Sequence, residues 1–126
     1  MGLHSATAQI RVLPTGLGAV SNADFETPWP KLIQLRASLH QQIAANALGT
    51  EELLALLQNR EIAADTQLPN TGIPLEWERS LSATYIATEN YGTRASSVIK
   101  LSKHHGEFTE VRYCTSGLVG RHTERW

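Results

Sequence analysis

Cysteine is nearly absent from this sequence: Cys114 stands alone among 126 residues. A single thiol rules out an internal disulfide framework and any multi-cysteine zinc or iron-sulfur centre within one chain, and it fits a reducing, cytoplasmic setting. An excess of charge of either sign is also missing. Lys and Arg total 11 against 12 Asp and Glu, and no basic run occurs, so the electrostatic footprint of a nucleic-acid or anionic-membrane binder is lacking. No apolar run approaches the roughly 18 residues that a membrane-spanning helix needs. The opening "MGLHSATAQIRVLP" has no charged leader followed by an apolar block. Neither nucleic acid nor membrane is therefore expected as a partner.

What is present is ordinary for a folded domain, with 41% hydrophobic and 18% charged residues. A chain of this length buries somewhat under ~70% of its extended surface, enough for one modest core. "AQIRVLP" alternates and "LGAVSN" resumes after Thr15-Gly16, which predicts a hairpin with strands near Gln9–Leu13 and Leu17–Ser21. Leu32, Leu35, Leu39, Ile43 and Ala47 then recur at steps of three and four. That spacing predicts a helix from Pro30 to Leu48, with Pro30 in its first turn and Gly49 at its exit. Thr50 caps a second helix ending by Arg60, with Glu51 and Glu52 complementing its dipole and Leu53, Leu54 and Leu57 on the buried side.

Residues 64–75 hold two prolines and an Asn-Thr-Gly cluster, the composition of a loop. "LEWERSL" adds a single helical turn, and strands over Ala83–Ala87, Ser97–Leu101 and Phe108–Tyr113 follow, the last two forming a hairpin around "KHHG". The order predicts one α+β domain over residues 1–126: a helical region at 30–60, C-terminal strands within 83–114, and two helices covering an antiparallel sheet. The final "TSGLVGRHTERW" is assigned to no element. Such a sheet would leave one face and its edges uncovered, so the chain is expected to be part of something larger.

Few side chains carry obvious chemistry. Cys114 falls within a strand, away from any helix N-terminus or fixed cation, and reads as an inert thiol. His104 and His105 are adjacent on a hairpin tip, so they point apart and no metal site is expected. Glu76 and Glu78 flank Trp77 and do not face each other on a helical turn, which suits orienting the loop or pairing with Arg79. Trp29 and Trp77 read as core or interface anchors. Asn22 either caps its own turn or donates outward. Arg94 stands at the mouth of "ASSVIKL", either as a surface partner for Glu89 or as a fork that grips an anion with two parallel bonds.

Two stretches suggest a family. "GLGAVSNADFETPWPKL" (Gly16 to Leu32) and "LPNTGIPLEWERSLSATYIATENYGTRASSVIKL" (Leu68 to Leu101) closely resemble the C-terminal half of NRDE proteins. That family is named for an Asn-Arg-Asp-Glu motif and includes the transport and Golgi organisation protein 2 of animals. The combination of SNA, TPWPK, LEWER and YGTR carries the likeness; the intervening helices match in pattern alone. The resemblance implies an N-terminal-nucleophile-hydrolase-like architecture, an αββα sandwich of two sheets between helices. Family members begin Met-Cys, which exposes a cysteine whose own amine can act as base. This chain begins Met-Gly and carries no Asn-Arg-Asp-Glu motif, so it is expected to be a truncated C-terminal half, non-catalytic by itself.

By the same resemblance, Asn22 and Arg94 match an oxyanion-donating asparagine and an arginine beside the nucleophile in the bile-salt and penicillin V hydrolases. They are the candidate ligand-binding pair, with Tyr91, Trp29 and Trp77 expected to line the site and no catalytic residue assigned. The resemblance also implies haem trafficking or the handling of an acyl or lipid metabolite. The residues themselves require no cofactor and offer no recognisable axial ligand for haem. Two alternatives stay open: part of an amide hydrolase or acyltransferase whose cysteine lies upstream, and a sheet-mediated interaction module. The expected partners are an unidentified small molecule, a second copy of the chain, or an N-terminal half.

Overall fold

Most of the regular backbone pairing lies in the last third of the chain. The computed structural model describes residues 2–4, 9–21 and 28–126. There, β1 (Gly2–His4) pairs with β2 (Gln9–Arg11), and a separate antiparallel meander runs β3 (Ala95–Leu101), β4 (Gly106–Cys114), β5 (Gly117–Arg125). Between the two sheets come α1 (Pro30–Ala44), α2 (Thr50–Leu56), a 3-10 turn at Asp65–Gln67 and α3 (Leu75–Leu81). The α+β class read from the sequence holds.

Register decides which residues α2 covers. Ser96 pairs with Val111, Val98 with Thr109, and Thr109 in turn with Thr123, so the pleat sends these side chains to one face. Packing of α2 against β3 buries Leu54 and Val111 to 3% exposure. Thr109 is wholly buried, which a polar side chain tolerates because its hydroxyl meets that of Thr123 at 3.1 Å. Polar links fix the same interface at its rim. The Thr50 hydroxyl donates to Glu107, and Arg121 pairs with Glu51 at 2.5 Å. Thr50 is thus the first residue of α2, held by the sheet, with Gly49 in the capping position.

Several predicted boundaries move. α1 stops at Ala44, because Asn46 takes the left-handed exit conformation (φ 52°) that had been expected of Gly49. Ile43 consequently ends the apolar stripe at 48% exposure. α2 ends at Leu56, four residues early, and "LEWERSL" makes a seven-residue helix. The segment expected as a strand at Leu17–Ser21 has no ladder: Gly18 and Ala19 offer little to pack, and Arg36 Nη2 donates to the Leu17 carbonyl at 3.2 Å. β2 pairs with β1 instead.

The strand predicted at Ala83–Ala87 is irregular. Ala83 and Tyr85 are buried as alternation requires, yet the Tyr85 N–H donates to the Asn59 carbonyl at 2.7 Å and the Ile86 N–H to the Thr93 hydroxyl at 2.9 Å. One bridge, Ala87 to Gly92, closes the turn that follows. β5 occupies the residues that the sequence reading left unassigned, entered through Gly117 at φ 111°. The opposite face of the β3–β5 sheet leaves Ile99 and Leu101 exposed at 61% and 73%.

Candidate functional site

Two cavities back onto Ile86 and Tyr91, which line both. The turn holding Tyr91 is tightly tied: Thr88 donates from its N–H (3.0 Å) and hydroxyl (2.6 Å) to the Tyr91 carbonyl, and its hydroxyl accepts the Tyr91 N–H at 3.1 Å. Gly92 is needed because a Cβ there would lie 2.8 Å from the Ile86 carbonyl oxygen. That contact explains the glycine of YGTR.

The first cavity, of about 600 Å³, lies against α1. Leu32, Leu35 and Leu39, the predicted helical stripe, form its floor; Val20, Trp29, Leu81, Ile86 and Tyr91 complete an apolar lining. Lys31 enters this lining from the first turn of α1. Its ammonium donates to the Leu81 carbonyl at 2.9 Å and lies 5.9 Å from the Trp29 ring centroid. Burial pushes its pKa below the ordinary lysine value. Glu78, buried at 6% exposure, also lines the space, but its carboxylate accepts the Thr71 N–H (2.9 Å) and hydroxyl (2.5 Å), orienting the loop. Arg79 instead forks onto Asp65, Nε at 2.8 Å and Nη2 at 2.6 Å.

The second cavity, of about 670 Å³, opens between the exit of α2, the 86–94 turn and the β4–β5 turn. Arg60 lies over the Tyr85 ring at 4.7 Å, and Tyr85 meets Tyr113 edge-on, their centroids 4.9 Å apart at 86°. Gln58 Nε2 donates to the Tyr113 hydroxyl at 3.4 Å, and the Tyr113 N–H donates to the Arg94 carbonyl at 2.8 Å. Arg94 is exposed at the mouth of β3 and forms no ion pair with Glu89. Cys114 also lines this space. The Ser116 hydroxyl, 2.9 Å from Sγ, and then the Ser116 backbone N–H pull its pKa below the ordinary thiol value. The sequence offered no cause for a lowered pKa at Cys114; the turn two residues on supplies one to this exposed thiol.

Of the residues singled out by sequence, Trp29 and Tyr91 share the first cavity and Arg94 lines the second. Trp77 is half exposed and packs edge-on against Tyr91 at 6.1 Å. Asn22 lies outside the described residues; Ser21 before it lines the first cavity. His104 and His105 are exposed in a turn closed by the Ser102 N–H donating to the His105 carbonyl at 2.9 Å. Among the described residues no three His, Cys, Asp or Glu side chains are placed to hold a metal ion, and no helix is long and apolar enough to cross a membrane. Lys31 and Arg60 were missed. Lys31 belongs to the quoted TPWPK, whereas nothing in "QNRE" marks Arg60.

Residues 3–115 match the family described as Transport and Golgi organisation 2; β5 lies beyond that match. The chain is 34% identical over 129 aligned positions to the Transport and Golgi organization protein 2 homolog of Bos taurus, an alignment covering 91% of this chain. It spans 43% of that relative's length. A match over most of the chain places this protein in the Transport and Golgi organisation 2 family.

Proposed function

We propose that this chain handles a small amphiphilic ligand, an acyl or lipid metabolite with an anionic head, in the cavity against α1. One observation carries the reading: a half-buried ammonium, Lys31, set among Leu, Val, Ile and aromatic side chains in a lining that also holds Arg36 and Glu78. Its volume of about 600 Å³ falls in the usual range of small-molecule sites, roughly 300–1,000 Å³. The apolar floor takes the chain, Lys31 meets the carboxylate, and Trp29 packs beside both. Haem fits these residues poorly. Among the described residues no histidine, cysteine or methionine lines the cavity.

The test is displacement of a fluorescent fatty-acid analogue by palmitate. Leu35→Trp fills the floor and should abolish binding, while Ile43→Trp, on the exposed end of α1, should not. Absence of saturable binding, or equal loss in both variants, overturns the reading.

A second reading, association through the sheet, is favoured by the exposed Ile99, Leu101 and Trp126. Sedimentation equilibrium would show a concentration-dependent dimer that Ile99→Lys dissolves. A monomer at every concentration would refute it.

A further inference from the structure

The cleft between Arg60 and Arg94 lies outside the cavity proposed for the acyl ligand, although Arg94 was already singled out in the sequence as a grip for an anion. Among the described residues two that bear guanidiniums line it and no Asp or Glu does. Arg79, Arg121 and Arg125 are each paired with a carboxylate, while among the described residues neither Arg60 nor Arg94 forms an ion pair. Both are nevertheless anchored to one aromatic pair. The Arg60 guanidinium lies over the Tyr85 ring, its Cζ 4.7 Å from the centroid, a cation–π contact that leaves it without a carboxylate partner. Tyr85 is fixed by the edge of Tyr113, whose N–H is bonded to the backbone of Arg94.

We propose that this cleft binds a small organic phosphate, with Arg60 and Arg94 as its two cationic contacts. A phosphate monoester carries about −1.5 to −2 at neutral pH and offers three acceptor oxygens, so it balances two guanidiniums. A monocarboxylate would leave one of them uncompensated. The cavity of about 670 Å³ exceeds what a bare phosphate fills, and the Tyr85, Tyr91 and Ile86 walls suit an attached organic group. The site does not depend on the acyl-ligand reading, since Lys31 and the leucine floor belong to the other cavity.

The experiment is an amide chemical-shift titration of the whole 126-residue chain with phenyl phosphate and with inorganic phosphate, against sodium acetate at matched ionic strength. Phenyl phosphate should give saturable shifts around residues 60, 86–94 and 113–117, inorganic phosphate weaker ones, and acetate none. Arg60→Gln and Arg94→Gln should each weaken phenyl phosphate at least about tenfold, the loss of one charge-assisted contact. The unmodified protein supplies a second readout, because Cys114 is its one thiol and lines the cleft. Phenyl phosphate should slow alkylation of Cys114 by iodoacetamide, and acetate should not. Shifts that fail to saturate, that acetate reproduces or that survive both arginine substitutions overturn the proposal; so does unaltered alkylation.

Discussion

Replacing Lys31 by Met separates ligand recognition from folding, because the two side chains occupy similar space and differ in charge. In the folded chain the ammonium loses water on one side, and burial lowers its pKa. The hydrogen bond to the Leu81 carbonyl at 2.9 Å offsets that cost, and the Trp29 ring at 5.9 Å adds a little. Losing a hydrogen bond costs about 1 kcal/mol and the exposed cation–π contact about 0.5 kcal/mol. Relief of desolvation and the added apolar contact act in the opposite direction. The net change in stability should therefore stay within about 1 kcal/mol by urea denaturation.

Ligand affinity should respond far more. A charge-assisted contact with a carboxylate is worth about 1.5–3 kcal/mol, so Lys31→Met should weaken palmitate roughly tenfold to a hundredfold and leave its methyl ester unchanged. The pH dependence has a definite sign. Lys31 binds its proton less tightly folded than unfolded, so between its folded pKa and 10.5 the unfolded chain holds more protons and stability rises with pH. That rise should vanish in the Met variant. Equal weakening of palmitate and its methyl ester would show that Lys31 does not meet the head group.

Leu54→Ala, which hollows the contact between α2 and the sheet, should cost 2–5 kcal/mol in urea titrations; a loss under about 1 kcal/mol would mean that this interface does not hold the fold. Glu107 is kept below its ordinary pKa of 4.5 by the Thr50 hydroxyl and then by Arg125, so its stabilisation is present above 4.5 and lost as pH falls through the lower folded value. Acid melts should steepen below about pH 4.5, and Glu107→Gln should flatten part of that slope. Ser116→Ala should raise the Cys114 pKa and shift the midpoint of its alkylation profile to higher pH; an unmoved midpoint would locate the cause elsewhere.

The elements legible in the sequence were those whose signal is local. A 3.6-residue stripe of leucines and Pro30 at the first turn gave α1, and alternation on either side of "KHHG" gave the β3–β4 hairpin. Failures arose where a distant group decided the outcome. Ala83 to Ala87 alternates as a strand would, but Asn59 and Thr93 take its hydrogen bonds. Asn46 supplied the helix exit because a left-handed asparagine is affordable and Gly49 stood three residues too late. β5 had a readable cue in Ser116-Gly117, but Gly120 and the charged Arg121, Glu124 and Arg125 leave it without the alternating apolar face by which a strand is read.

Site legibility follows the same division. Trp29, Tyr91 and Arg94 could be singled out because they belong to distinctive short segments, and all three line cavities. Their grouping could not be read, since it depends on how the 86–94 turn folds between α1 and the β4–β5 turn. Tyr91 consequently faces both cavities, while Arg94, three residues on, joins Arg60 from the segment that follows α2. Arg60 had no sequence signal because its placement comes from Tyr85, 25 positions away, whose ring centroid lies 4.7 Å from the guanidinium carbon. The aromatic pair that closes the core thereby also positions a cation at the cleft. Packing and ligand recognition here share the same two tyrosines, and substitution of Tyr85 would disturb both together.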